Sequence, residues 1–98
     1  MCGQRELEVV DEQLRMVFAA VRSVADDTDR SMLDETQASW AVDREQLCLA
    51  IGRRAGSVQS LNVLACKAQM ARHRAIELCD WDTTNPAEQQ APCAAVVR

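Results

Sequence analysis

Ninety-eight residues with a net charge of −4 are enough for one modest hydrophobic core and too few for two. No apolar run approaches the roughly 20 residues a membrane helix needs, and no positively charged start leads into an apolar run, so no secretory leader is visible. Acids crowd the first half, where residues 1–45 hold eleven of them against five arginines. This balance argues against nucleic acid as a partner and permits a basic protein.

The first periodic stretch sets Leu7, Val10, Leu14, Val17, Phe18, Val21 and Val24 three and four apart, which predicts an amphipathic helix over about 5–26. It should end in Asp26-Asp27-Thr28-Asp29, residues that favour turns and caps. A second helix follows over about 31–54, with Ser31 as N-cap and Asp34 three residues on. Its stripe is Leu33, Gln37, Trp40, Arg44, Leu47, Cys48 and Ile51, so Gln37 and Arg44 stand where a plain core helix would carry leucine. Basic residues and Gly56 close it. A third helix over about 58–80 places Leu61, Leu64, Ala65, Ala68, Ala71, Ala75 and Leu78 on one side, and its small alanines invite close approach. Pro86 and Pro92 break any later pattern. The expectation is an all-α antiparallel bundle of three long helices, a single domain over 4–81, with 82–98 as a loose or strapped-down irregular tail.

Short turns make consecutive helices antiparallel, which fixes their facing residues. A first turn centred near 27–28 sets Asp11, itself on the apolar stripe, opposite Arg44. They form a half-buried ion pair, whose two parallel hydrogen bonds help offset desolvation, or both bend out to water. A second turn at Gly56-Ser57 sets Cys48 opposite Cys66, as a disulfide or as two buried thiols. It also sets Trp40 opposite Arg74, a cation–π pairing.

Five cysteines are many for a cytosolic chain and ordinary for an exported one. None forms a C-x-x-C pair and His73 stands alone, so neither a metal site nor a cofactor is expected. Cys2 and Cys79 belong to opposite ends of the bundle, whereas Cys79–Cys93 is feasible if the tail folds back. Cys2-Gly3 also fits a lipid-anchored mature start. Asp11, Glu12, His73 and Glu77 could be cast as acid–base groups, but no nucleophile–base spacing or phosphate loop accompanies them, and no enzyme activity is expected.

The ordered series Asp11, Leu14, Phe18; Leu33, Gln37, Trp40; Arg44, Cys48; Gly56-Ser57, Cys66, Met70, Arg74 and Leu78 resembles the LprI-like lysozyme-inhibitor family of bacterial exported proteins and lipoproteins. The likeness covers about residues 7–80. Arg15, Phe18, Glu45 and Ala71 depart from the family pattern of Asn, Tyr, Asp and Thr, which changes polar groups of the interior. The resemblance implies a helical domain, a Cys48–Cys66 disulfide, and structural roles for Asp11, Gln37, Trp40, Arg44 and Arg74 as an interior polar network. It further implies a periplasmic or envelope-anchored protein that inhibits a lysozyme or related peptidoglycan hydrolase. An acidic hairpin would attract a basic enzyme at long range. A turn tip can enter a cleft, which makes Asp26, Asp27, Asp29 and Asp34 the candidate contact surface. The contrasting reading is an adaptor or toxin-neutralising bundle, or a homodimer, which leaves a cytoplasmic location open.

Overall fold

The computed structural model describes residues 2–54, 60–81 and 91–96. Three long helices, α1 (Cys2–Val24), α2 (Asp27–Arg54) and α3 (Ser60–Cys79), precede a single turn, α4 (Ala91–Ala94). No strand occurs among the described residues, and the fold is all-α. The molecule measures 45 × 24 × 16 Å. The 28 residues of α2 reach nearly the whole length, about 42 Å at 1.5 Å per residue.

The first two helices run antiparallel. Asp11 bonds Arg44 and Arg22 bonds Asp34, so position rises on one helix as it falls on the other. Cys48 bonded to Cys66 and Arg74 bonded to Gln37 set the same sense for α2 and α3, which leaves α1 and α3 parallel.

The principal seam is α1 against α3. Val10, Leu14, Val17 and Val21 lie buried on α1, and Ala68, Ala71, Ala75 and Leu78 lie buried on α3. Methyl side chains on one helix and branched ones on the other let the two backbones come close without a void. Each fully buried valine or leucine contributes about 1.5–3 kcal/mol by removal from water.

The turn between α1 and α2 is shorter than the sequence suggests. Helix α1 ends at Val24 and α2 begins at Asp27, leaving only Ala25 and Asp26 between them. Asp26, not Ser31, is the N-cap: its Oδ1 accepts the Asp29 N–H at 2.8 Å. Asp27 and Asp29 then fall in the first turn, where the helix dipole favours negative charge. A run of acids read as a turn is therefore the capped opening of a helix. Arg30 closes the other side of the junction by donating to the carbonyls of Arg22 at 3.1 Å and Ser23 at 3.4 Å, two acceptors at the end of α1.

The expected stripe on α2 needs correction at its C-terminal end. Leu33 and Cys48 are fully buried, but Leu47 is 51% and Ile51 43% exposed. Neighbouring residues are turned about 100° apart on a helix, so aiming Cys48 at α3 swings Leu47 to the margin. On α3, Ala65 is exposed, while Val63, absent from the expected face, is buried. The side chain of Leu61 and the Gly56-Ser57 turn lie outside the described residues.

The described part of the C-terminal segment, residues 91–96, is strapped down. Cys79 and Cys93 are disulfide-bonded and buried, and Cys93 and Val96 join the core. Gln13 on α1 donates to the Ala95 carbonyl at 3.2 Å. Trp81 packs partly buried against the same core.

Candidate functional site

The polar residues singled out on the sequence fall into two separate groups along α2. In the first, Arg44 reaches α1 and donates from Nη1 to Asp11 Oδ1 at 2.7 Å and from Nη2 to Asp11 Oδ2 at 3.3 Å. The Arg44 side chain is only 15% exposed and Asp11 38%. The guanidinium carbon stands 4.8 Å from the centre of the Trp40 ring, a cation–π contact with the residue one turn earlier on its own helix. Its Nε is buried with no hydrogen-bond partner among the described residues.

The second group lies between α2 and α3. Arg74, the one buried charged residue among the described residues, donates from Nε to Gln37 Oε1 at 2.8 Å and from Nη2 to Thr36 Oγ1 at 3.0 Å. Thr36 in turn donates to the Leu33 carbonyl at 3.3 Å. Burial pushes the pKa of Arg74 below its ordinary value, while Glu77 pulls it back up. With neutral oxygens as its direct acceptors, this guanidinium acts as an interior cross-link more than as half of an ion pair.

The expected Arg74–Trp40 contact is therefore replaced. Trp40 is taken by Arg44, and Arg74 meets Gln37 and Thr36 about one helical turn away. The facing register that fits Cys48 and Cys66 does not persist along the hairpin, and a local i,i+4 neighbour has no register to satisfy. Thr36 escaped the sequence reading because a threonine outside the apolar stripe carries no periodic signal.

Cys48 and Cys66 are bonded, with Cα atoms 5.5 Å apart, and join the far ends of α2 and α3. Lys67 and Glu45 pair at 3.0 Å beside them. The side chain of Cys2, the candidate anchor, is not among those described.

The acids of the first turn have structural partners. Asp26 is the cap, and Asp27 lies 3.6 Å from Arg30 while fully exposed. Asp34 accepts two hydrogen bonds from Arg22, at 2.9 and 3.0 Å, which hold its carboxyl below the usual range. Asp29 is half-buried in the first turn of α2. No group of three or more His, Cys, Asp or Glu side chains suited to a metal occurs among the described residues. Nor is any described helix long and apolar enough to cross a membrane.

These features define a small all-α protein, disulfide-linked and held across its middle helix by a few long polar contacts. The family model for the lysozyme inhibitor LprI matches residues 1–78, and the chain belongs to that family. Among curated proteins and solved structures, none matches it. The matched stretch ends just before Cys79, so the second disulfide and α4 lie beyond it.

Proposed function

We propose that this protein is a binding protein of the bacterial envelope that inhibits a lysozyme-type peptidoglycan hydrolase. The observation that carries this reading is the family match over residues 1–78. Two physical features support it. Acids concentrate on α1 and α2, with Glu6, Glu8, Asp11 and Glu12 on the first and Asp34, Glu35, Asp43 and Glu45 on the second, a distribution that attracts a basic enzyme. Two disulfides suit an oxidising compartment and hold a surface in place before binding, which lowers the entropy cost of association. Inhibition of this kind requires only that a surface cover a cleft; it requires no chemistry from the inhibitor.

The adaptor reading draws on a different observation. Leu47 and Ile51 are exposed on the second half of α2 and line an open apolar groove with Ala65 and Met70 of α3, a surface suited to another protein or a second copy. A turbidity assay separates the two readings. Purified oxidised protein should slow the clearing of a bacterial cell-wall suspension by a basic lysozyme, more strongly at low salt than at moderate salt. Unchanged clearing at micromolar protein would favour the adaptor.

A further inference from the structure

We propose that the outer face of α1 is the docking surface for a partner segment that combines aliphatic side chains with lysine or arginine. This rests on the inhibitor reading and gives it a location. The core-facing side of α1 is already filled by Val10, Leu14, Val17 and Val21, yet apolar groups also line its outer flanks. On one flank Leu7 and Leu64 line an open groove bordered by Gln4, Glu8, Asp11, Glu12 and the single cation Arg15. On the other flank Val9 and Met16 line a second groove with Pro92 and Ala95. Glu12 belongs to both grooves, so it forms the ridge between them. Val9 is 63% and Met16 48% exposed. Neither is needed to bury the helix, and both flank the same carboxylate at helical spacing.

Charge selects the occupant. Glu8 has no partner among the described residues, and Glu12 pairs only with the exposed Arg15 on its own helix. An exposed i,i+3 pair is weak, so a partner's guanidinium or ammonium can replace Arg15 at little cost. Asp11 adds a third carboxylate, held in place by Arg44. A cationic segment with aliphatic side chains satisfies both the apolar grooves and the carboxylate ridge. The first turn offers less, because Asp26 and Asp34 already serve the fold and no apolar groove among those described includes it.

Two experiments test this independently of each other. In the first, an amphipathic leucine–lysine peptide is titrated into the oxidised protein and followed by amide NMR. Shifts confined to Gln4–Met16, Leu64 and Cys93–Ala95 support the surface; shifts on α2 or at Ala25–Asp26, or none at all, overturn it. In the second, inhibition of a basic lysozyme is compared for E8K and M16Q, with E35K and V42Q as controls that make the same changes on exposed positions of α2. Losses of about tenfold for the α1 variants against less than about twofold for the controls are expected. Equal losses in E8K and E35K would reduce the effect to net charge and overturn the surface. Absence of lysozyme inhibition in the wild type, with peptide shifts on α1, would remove the inhibitor reading and leave the docking surface standing.

Discussion

Helices α1 and α3 meet along an apolar seam of valines, leucines and alanines, whereas α2 meets them mainly through a disulfide and polar contacts: Arg44–Asp11 and Arg22–Asp34 to α1, Arg74–Gln37 and Lys67–Glu45 to α3. From α2 the core takes only Leu33 and part of Trp40, with Cys48 buried at the far end. The difference teaches how a chain with few large apolar residues holds a third helix. Nondirectional burial fixes the α1–α3 pair. Directional contacts fix α2, and they set its position and rotation more than they add stability, because a buried guanidinium loses hydration that its hydrogen bonds only partly return.

Substitutions on the two sides should therefore behave differently. Replacing both Cys48 and Cys66 by alanine opens a loop of sequence separation 18 and should cost about 3 kcal/mol on the chain-entropy estimate. Hydrogen exchange should then quicken in the second half of α2 while the α1–α3 seam stays protected; uniform quickening would erase the proposed distinction. Ala71→Leu inserts bulk at a position with no exposure and should lower unfolding stability by about 2–3 kcal/mol in urea. Asp11→Ala leaves Arg44 mostly buried without its carboxylate and should cost about 2 kcal/mol, with a change of Trp40 fluorescence as the cation above its ring shifts. Arg74→Met should change stability by less than about 1 kcal/mol, since the methionine fills the space and the lost bonds go to neutral oxygens of Gln37 and Thr36, neither of which is itself buried. A loss as large as that of Asp11→Ala would mean the α2–α3 contact is energetically more than a positioning device.

The smallest effect is on pH dependence. The Arg22 and Arg15 hydrogen bonds lower the pKa values of Asp34 and Glu12. A carboxylate whose pKa is lower in the folded than in the unfolded chain adds stability above its unfolded pKa, and that stability is lost as pH falls through the folded value. Acid titration of stability should thus show a slight fall across the carboxylate range, and Arg22→Ala should flatten part of it.

The sequence made the inward face of α1 and most of that of α3 readable because apolar residues recur at helical spacing on both elements, but not that these two faces form the principal seam. It also placed Asp11 opposite Arg44 and Cys48 opposite Cys66, since a short turn leaves antiparallel helices only one register nearby. Three features were less accessible. Asp26 as cap depends on which of several adjacent acids lies outside the helix, and composition does not distinguish them. The partner of Arg74 depends on how the register drifts along a hairpin, which no local pattern records. The exposure of Leu47 and Ile51 depends on the rotation of α2 that the Cys48–Cys66 bond sets. The outer surface of α1 was hidden for another reason: Val9 and Met16 read as noise beside a strong inward stripe, and Leu64 becomes their neighbour only through the fold.

Direct binding of the oxidised protein to a basic lysozyme, followed by isothermal titration calorimetry at low and at moderate salt, addresses the proposed role at its root. The expected result is a one-to-one complex of micromolar affinity or tighter that weakens as salt rises. No detectable heat at either salt concentration, from protein whose two disulfides are intact, would contradict it.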